Sequence, residues 1–459
     1  MSADATPGRG ARGARRIAGV AGALLVALAL VPEVRRSGSP GLGVMQIALL
    51  AAGMLMLLVA WLGARFPSAY RATAVMLLNT ILLLAALEPL AVVVGSMTRR
   101  TQSSPSRQTY YGDKPWGARF VREQAASMGK DSYRPFALWK RGPTSGESVN
   151  VNAEGIRWTP GASCGRGAYR IVMLGGSTLW GFGSPDSGTI PAAVQAVVAR
   201  STTRPVCVVN LGEKGYTSQQ ELVLLITYLR SDEVPDLILF YDGVNDVRTA
   251  AEYGETGRHY GYRVIADKLE GVPPPLALRL RDSRLVSLVL SSVGAPADSL
   301  KVLGYRERGV GVDSLADQIV ARYLDRNRMV RALAREYGFD YAFFWQPVLW
   351  RTRKPLTAAE KGKYDDALQG LPEIVNAVYT RIHEIALRED HLHDISDAFD
   401  GQPGFIYLDW NHVVPEGNAL VARRMVAVLD EFAGQRWVRP IARKPPHSRP
   451  VAAPLPKRR

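Results

Sequence analysis

The sequence predicts an α/β fold, in which a parallel β-sheet carries helices on both faces, preceded by an apolar N-terminal region. From about residue 168 onward, short apolar runs alternate with longer stretches of helical periodicity, a pattern typical of a parallel sheet. The first 95 residues instead contain three long apolar stretches with few charges. Because 459 residues are too many for one typical domain, we expect a membrane region followed by a separate α/β domain.

The strands and helices of this domain are predicted from the length and periodicity of the apolar runs. The four predicted strands are Tyr169–Leu174, Val206–Asn210, Asp236–Tyr241 and Phe339–Trp345. The predicted helices are Thr189–Arg200, Gln219–Leu229, Asp317–Tyr337 and Gly417–Phe432. Strands that alternate with helices in this way run parallel, so we expect their carboxyl ends at one edge of the sheet.

The composition divides the chain into further segments. We expect residues 1–95 to form the membrane region, 96–168 a linker that wraps along the domain, 169–435 the α/β domain, and 436–459 a basic, proline-rich disordered tail. Residues 250–312, rich in glycine, proline and arginine, interrupt the alternation as an insertion. This insertion either lies over the carboxyl ends of the strands, where ligands bind in such sheets, or is a surface excursion without a role.

The N-terminal region is predicted to cross a membrane two or three times. Gly41–Gly63 and Ala72–Val94 reach the roughly 20 residues that a bilayer span needs, whereas Ile17–Val31 is shorter. All three stretches are apolar on every side, which argues against amphipathic helices of a soluble domain. The arginines of residues 1–16 favour a cytoplasmic N-terminus, so three spans would place the α/β domain outside the cytoplasm. A cleaved signal peptide followed by two spans gives the same location, and only an uncleaved first stretch that does not span would reverse it.

The formal charge of +15 does not indicate nucleic-acid binding, because most of it lies at the two ends of the chain. Residues 436–459 contain eight lysines and arginines and no acidic residue, and residues 1–16 contain four arginines and one aspartate. The part between them is nearly balanced, so no basic face is expected. The two cysteines, Cys164 and Cys207, match no zinc spacing, and we expect neither a metal nor another cofactor.

The loop after the first predicted strand, GGSTLWGFG at residues 175–183, fits none of the familiar glycine-rich patterns. Its glycines do not have the spacing of a dinucleotide fingerprint, and no lysine follows the last glycine as in a phosphate-binding loop. A lipase-type elbow needs a second glycine where Leu179 stands. Ser177 can still be a nucleophile if the chain supplies a base, an orienting carboxylate and donors for an oxyanion.

The chain offers each of these partners next to a predicted strand or the last helix. Asp409 lies three residues before His412 in YLDWNHVVPEGN, a spacing that lets the carboxylate reach one imidazole nitrogen while the other faces outward. Gly215 follows the second strand in GEKGYTSQQ, and Asn245 follows the third in YDGVNDV. Because these residues follow the ends of parallel strands, we expect them to converge with Ser177 at one edge of the sheet.

In their order along the chain, these four blocks resemble the SGNH/GDSL hydrolase superfamily. The blocks are GGSTLWG, GEKGYTSQQ, GVND at 243–246 and DWNH at 409–412, and the resemblance covers roughly residues 169–432. It implies a flavodoxin-like parallel sheet and ester hydrolysis without a cofactor. One departure is Gly176, which stands where the family usually has an aspartate that is not the triad acid. The other departure is the length of the insertion before the last block.

The resemblance also implies a role for each residue. Ser177 would attack an ester carbonyl, His412 would take its proton and later protonate the leaving alcohol, and Asp409 would fix the imidazole tautomer. The oxyanion would be received by the backbone N–H groups of Ser177 and Gly215 and by the side-chain amide of Asn245.

The cysteines lie at the other ends of the strands. Cys164 precedes the first predicted strand and Cys207 begins the second, so with these strands adjacent both lie at the edge opposite the site. They either form a disulfide, which an oxidising compartment would allow, or Cys207 is a small buried apolar residue and Cys164 is unpaired.

Together these observations predict a membrane-anchored, multi-pass serine esterase whose catalytic domain lies outside the cytoplasm. Its partners would be the lipid bilayer and an O-acylated, chiefly O-acetylated, carbohydrate or other ester, with no nucleic acid. Two alternatives are an O-acyltransferase that uses the same triad on a glycan, and a non-catalytic carbohydrate-binding or assembly factor. Trp180 and Trp410 flank the site in sequence and either stack on a sugar or pack within the protein.

Overall fold

The chain consists of two units in a computed structural model. One unit comprises residues 1–101 and 275–295, and the other comprises residues 102–274 and 296–459. The structure describes residues 9–29, 44–65, 76, 79–80, 82–83, 86–92, 110–230, 234–271, 304–365 and 370–433. The predicted tail and residues 272–303 of the predicted insertion lie outside the described residues, so what was expected of them stays a prediction.

The first unit contains two helices that pack against each other, α1 (Arg9–Ala29) and α2 (Val44–Arg65). They come close at two glycines. A Cβ added to Gly22 would lie 2.9 Å from the carbonyl oxygen of Gly53, and one added to Gly53 would lie 2.8 Å from that of Gly22. Small residues allow two helix backbones to approach this closely.

The predicted membrane spans are not supported by the described helices. Within the described parts of the chain, no helix is long and apolar enough to cross a bilayer. In α1, arginines occupy positions 9, 12, 15 and 16, so the first two turns of the helix are charged. Of the predicted span 72–94, only short separate pieces are described.

The second unit begins with a segment that packs against the α/β domain. This segment, residues 110–168, is called the N-terminal segment of the second unit. It contains α3 (Gly117–Met128) and an antiparallel hairpin of β1 (Asp131–Arg134) and β2 (Leu138–Arg141). Phe120 and Val151 are buried in one cluster with Trp180 of the α/β domain. The helix and the hairpin were not predicted, because their apolar residues are too few to give a clear periodicity.

The α/β domain is built on a five-stranded parallel sheet in the order β4-β3-β5-β6-β7. Counted along the chain from the first strand of this sheet, the order is 2-1-3-4-5, which is the flavodoxin-like order. The predicted fold class is therefore confirmed for this domain. The strands are β3 (Tyr169–Gly175), β4 (Val206–Asn210), β5 (Leu237–Asp242), β6 (Asp340–Trp345) and β7 (Leu392–Asp394).

Helices cover both faces of this sheet, and alternate residues of β3 contribute to the two cores. Val172 and Leu174 belong to one buried cluster, and Ile171 and Met173 belong to the other. Burial on both faces explains why each strand reads as a continuous apolar run. The helices are α4 (Ser177–Trp180), α5 (Ile190–Ser201), α6 (Ser218–Leu229), α7 (Val244–Tyr253), α8 (Tyr262–Leu269), α9 (Gly304–Glu307), α10 (Val312–Tyr337), α11 (Ala358–Asp365), α12 (Leu371–Ala386) and α13 (Pro415–Ala433).

The four predicted helices agree with α5, α6, α10 and α13 to within a few residues, and local capping explains two of their starts. Thr189 accepts a hydrogen bond from the N–H of Ala192 at 3.2 Å and caps α5. Thr217 and Gln220 form a reciprocal capping box at the start of α6. These caps fix the residues at which the loops after β3 and β4 end and the helices α5 and α6 begin.

The two cysteines form a disulfide, which decides between the two alternatives for them. Cys164 and Cys207 are bonded, with their Cα atoms 4.7 Å apart. Cys207 lies near the amino end of the edge strand β4, whereas Ser177 follows the carboxyl end of β3. The bond therefore joins the N-terminal segment to the sheet at the edge opposite the predicted site.

We expect no reactive thiol in the denatured, unreduced protein. Replacing both cysteines by serine should lower the free energy of unfolding by about 2–4 kcal/mol, because the open chain gains conformational entropy in the unfolded state. Thiol titration and urea denaturation measure the two effects. Two reactive thiols per chain would contradict the bond.

Candidate active site

Ser177 lies where β3 ends and the short helix α4 begins. The chain passes from Gly175 through Gly176, whose backbone is extended, into the first turn of α4. A Cβ on Gly175 would lie 2.7 Å from the carbonyl oxygen of Tyr241 in the neighbouring strand β5, so this position has room only for glycine. The tight passage from strand to helix presents the serine hydroxyl at the carboxyl edge of the sheet.

Ser177, His412 and Asp409 form a continuous hydrogen-bonded chain. The Oγ of Ser177 lies 2.8 Å from Nε2 of His412. Nδ1 of His412 lies 2.9 Å from Oδ2 and 3.0 Å from Oδ1 of Asp409. Because an ionised carboxylate only accepts, Nδ1 carries the proton and Nε2 is left to accept the serine hydroxyl hydrogen.

The loop that carries Asp409 and His412 is closed by its own backbone. The N–H of Leu408 donates to the carbonyl oxygen of His412 at 2.8 Å. Oδ1 of Asp409 also accepts the backbone N–H groups of Asn411 at 3.1 Å and of His412 at 2.9 Å. The carboxylate is therefore held by the backbone of the turn as well as by the imidazole ring. The ring of Phe182, 4.6 Å from the His412 ring between centroids, packs against the imidazole.

The predicted oxyanion residues lie next to this chain of hydrogen bonds. Nδ2 of Asn245 donates to the carbonyl oxygen of Tyr216 at 2.7 Å, which joins the block after β5 to the block after β4. Gly215, which precedes Tyr216, has a φ of +69° in the left-handed region that favours glycine. A Cβ on Gly176 would overlap Nδ2 of Asn245. The amide of Asn245 thus lies against the residue that precedes Ser177.

The departure at Gly176 leaves the space beside the Asn245 amide without a side chain. A side chain at this position would require the Asn245 amide to move. The structure brings Ser177, His412 and Asp409 into direct contact. It places Asn245 beside them and links Gly215 to them through Tyr216.

A buried arginine of the N-terminal segment holds the turn that follows Ser177. The Arg157 side chain is fully buried and donates to the carbonyl oxygens of Trp180 at 2.9 Å, Gly181 at 2.8 Å and Ser184 at 2.7 Å. Its Nε donates to Oδ1 of Asp186 at 2.9 Å. Burial lowers the pKa of Arg157, and the neighbouring Asp186 carboxylate opposes this shift.

Further contacts from the same segment hold the middle of this turn, at Gly183. Its N–H donates to Oε1 of Gln124 at 2.7 Å, and its carbonyl oxygen accepts the hydroxyl of Tyr111 at 2.5 Å. The turn carries Phe182, which packs on His412. The N-terminal segment therefore supports the turn after Ser177 and, through Phe182, the ring of His412.

A second arginine supports the turn after β4. The backbone N–H of Arg141 donates to Oε2 of the buried Glu213 at 2.6 Å, and Oε1 of Glu213 accepts the N–H of Lys214 at 2.8 Å. Burial raises the pKa of Glu213, and these N–H bonds oppose the shift. Because Glu213 lies two residues before Gly215, this carboxylate fixes the start of the predicted oxyanion turn.

The two tryptophans next to the predicted site have different environments. Trp180 is 1 % exposed, and the guanidinium groups of Arg157 and Arg141 lie 4.2 Å and 5.1 Å from the centroid of its ring. This tryptophan packs within the protein and does not face a substrate. Trp410 is half-buried and stacks on Trp350 with 5.0 Å between ring centroids.

A buried polar cluster beneath Asn245 was missed by the sequence analysis. Asp246 accepts hydrogen bonds from Ser218 Oγ and from Arg326, both at 2.6 Å. Oδ2 of Asp242 accepts the hydroxyl of Tyr323 at 2.9 Å, and burial raises the pKa of Asp242. The signal in the sequence was an arginine, Arg326, on the apolar face of a predicted helix, since an isolated charge there requires a buried partner.

We expect Arg157→Met to lower the free energy of unfolding by about 3–5 kcal/mol, because it leaves the Asp186 carboxylate buried without its cation. Arg200→Met is the matched control, since Arg200 is exposed at the end of α5 and should change stability by at most about 0.5 kcal/mol. Urea denaturation measures both variants. Equal stability of the two would show that Arg157 does not hold the turn.

Comparisons with known proteins give likenesses among solved structures alone. No protein-family model matches the chain, and no curated protein matches it. A carbohydrate acetylesterase family member from Sinorhizobium meliloti is 18% identical, with 58% of this chain and 99% of that chain covered and a TM-score of 0.31. A putative G-D-S-L lipolytic protein from Desulfitobacterium hafniense DCB-2 is 12% identical, with 57% and 99% covered and a TM-score of 0.29.

A third solved structure, a putative arylesterase from Agrobacterium tumefaciens str. C58, is 14% identical, with 57% of this chain and 99% of that chain covered and a TM-score of 0.28. Identities and TM-scores this low carry no argument about activity, so the description of the site rests on its own geometry. Of these three, the protein from Desulfitobacterium hafniense is named as a member of the G-D-S-L family, which the four sequence blocks resemble.

Proposed function

We propose that this protein is a serine esterase that hydrolyses O-acyl, chiefly O-acetyl, esters. The observation that supports this most directly is the chain of hydrogen bonds from Ser177 Oγ through the His412 ring to Asp409, with distances of 2.8 and 2.9 Å. A serine, a histidine and a carboxylate in this order make up the arrangement needed to activate a hydroxyl nucleophile.

In the proposed reaction, Ser177 Oγ attacks the ester carbonyl carbon while Nε2 of His412 takes the hydroxyl proton. The resulting imidazolium is stabilised by Asp409. As the tetrahedral intermediate collapses, the bond to the alcohol oxygen breaks and His412 returns the proton to the leaving alcohol. Water then attacks the acyl-serine with His412 again as base, which releases the acid and restores the serine.

The negative charge that forms on the carbonyl oxygen needs donors that are already in position. We propose the backbone N–H groups of Ser177 and Gly215 and the Asn245 amide for this role. One N–H of the amide is bound to the carbonyl oxygen of Tyr216, which fixes the amide plane and so the direction of the second N–H. The adjacency of Asn245 to Gly176 supports the assignment.

The proposed substrate is an acylated carbohydrate of the cell envelope, with the catalytic domain held at a membrane outside the cytoplasm. Support for this location comes from the sequence alone, in the apolar stretches 41–63 and 72–94 and the arginines of residues 1–16. The described helices do not support it. The disulfide is compatible with an oxidising compartment.

We expect Ser177→Ala and His412→Ala each to abolish cleavage of 4-nitrophenyl acetate, and the double variant to add little, because the two residues act as a unit. Asn245→Ala should lower kcat by about 100- to 1000-fold through the loss of one oxyanion donor. Arg200→Met serves as the control with unchanged turnover. Substantial cleavage by a folded Ser177→Ala protein would remove the nucleophile assignment.

The same assay separates hydrolysis from acyl transfer. Acetate release that does not depend on an added unacylated glycan supports the esterase. Acetylated glycan formed at the expense of acetate release would replace this proposal by acyl transfer with the same residues.

The location has its own test. A reporter enzyme that is active only in the cytoplasm, fused after Arg436, should give no signal, while the same reporter fused before residue 9 should be active. Activity of the C-terminal fusion would contradict the proposed location and, with it, the argument for an envelope substrate.

A further inference from the structure

A group of aromatic side chains lies beside the predicted oxyanion turn. A Cβ added to Gly215 would lie 3.5 Å from Cβ of Tyr260 and 3.8 Å from Cζ2 of Trp139. These two side chains therefore border the turn at Gly215 and form its aromatic walls. Tyr260 belongs to the predicted insertion, and Trp139 belongs to the hairpin of the N-terminal segment.

The inner part of this aromatic group is held rigidly. Nε1 of Trp139 donates to the carbonyl oxygen of Lys214 at 2.8 Å, and its ring meets the Tyr216 ring edge-on with 5.6 Å between centroids. The Tyr216 hydroxyl donates back to the carbonyl oxygen of Trp139. His259 packs edge-on against the Trp139 ring at 6.0 Å. Trp139 is thus fixed by the same turn that carries Gly215.

Tyr260 forms the outer wall and is open to solvent. It is 46 % exposed, although its neighbours pack on one another. Tyr216 is connected to Asn245 by a hydrogen bond of 2.7 Å, and Asn245 lies against Gly176. This continuous set of contacts puts the exposed ring near the reacting serine, on the side of the predicted oxyanion donors.

The chemistry of these walls favours a sugar over a fatty acyl chain. An aromatic face carries partial negative charge and attracts the polarised C–H groups on one face of a pyranose ring. Since Nε1 of Trp139 is already bound to the carbonyl oxygen of Lys214, this group offers a sugar its aromatic faces. A long acyl chain would instead require a deep pocket lined by aliphatic residues.

We propose that Tyr260 and Trp139 form a subsite that binds the sugar ring bearing the ester, with the acyl carbonyl directed to Ser177. The inference rests on the proposed function and names the part of the chain that selects its substrate. It replaces Trp180, which is buried against two arginines, as the aromatic residue facing the carbohydrate.

The test compares Tyr260→Ala with Tyr337→Ala in the full-length protein. Tyr337 is the matched control, because it is 42 % exposed but lies before the amino end of β6, at the opposite edge of the sheet. The substrates are an O-acetylated xylo-oligosaccharide and 4-nitrophenyl acetate. For Tyr260→Ala we expect KM for the oligosaccharide to rise about two- to tenfold, as loss of one aromatic contact implies, with a smaller change for the aryl ester.

Tyr260→Phe should retain the oligosaccharide KM, since the stacking face is kept, and Tyr337→Ala should leave both substrates unaffected. A fall in activity of Tyr260→Ala that is equal for the two substrates would overturn the inference, because the ring would then act on the catalytic residues rather than on the sugar. An oligosaccharide KM that does not change would overturn it as well.

A binding measurement keeps the inference separate from the proposed activity. In the Ser177→Ala background, calorimetric titration with the acetylated oligosaccharide should show binding that Tyr260→Ala weakens about two- to tenfold and Tyr337→Ala does not. If the chain cleaves no ester but this pattern holds, the proposed function fails and the subsite stands. Equal binding by both variants would remove the subsite.

Discussion

The arrangement of the site depends on the buried guanidinium of Arg157. Three backbone carbonyl oxygens in the turn after Ser177 accept from this one side chain. That of Gly181 also accepts the N–H of Ser184, and that of Trp180 also accepts the side-chain amide of Asn210. A single planar, five-donor side chain binds all three, and its charge is compensated by Asp186. A buried charge is tolerated only when it is paired and fully hydrogen-bonded, so the turn, the arginine and the aspartate form one structural unit. The position of Phe182 against His412 follows from that unit.

A consequence is that the four blocks of the resemblance do not make a site by themselves. Their supports come from residues 110–168, which lie before the first strand of the sheet and outside the range that the resemblance covers. Arg157 holds the serine turn, Arg141 holds Glu213 and the turn after β4, and the disulfide joins the end of the same segment to the edge strand. The segment that the sequence analysis assigned to a wrapping linker is therefore part of the framework of the candidate site.

What could be predicted from the sequence depended on how far apart along the chain the interacting residues lie. Strands buried on both faces give continuous apolar runs, so β3 to β6 were found, whereas β7 has three residues and gives no run. Asp409 and His412 were paired from their spacing because three residues are enough to define a tight turn. Arg157 gives no such signal, since its partners lie 23 to 29 residues further along the chain, beyond β3. Whether Cys164 and Cys207 were bonded stayed open because it depends on their distance in space, which here is 4.7 Å between Cα atoms.

The glycine before the nucleophile shows how such long-range constraints act on single residues. In the sequence, Gly176 was only a departure from the family pattern. In the structure, the space that its side chain would fill is occupied by the amide of Asn245. That amide is held by the carbonyl oxygen of Tyr216, so it cannot turn away to admit a larger residue without losing its hydrogen bond in a half-buried position. In this chain the space that a side chain at 176 would share is therefore occupied by an amide that the carbonyl oxygen of Tyr216 holds beside Ser177.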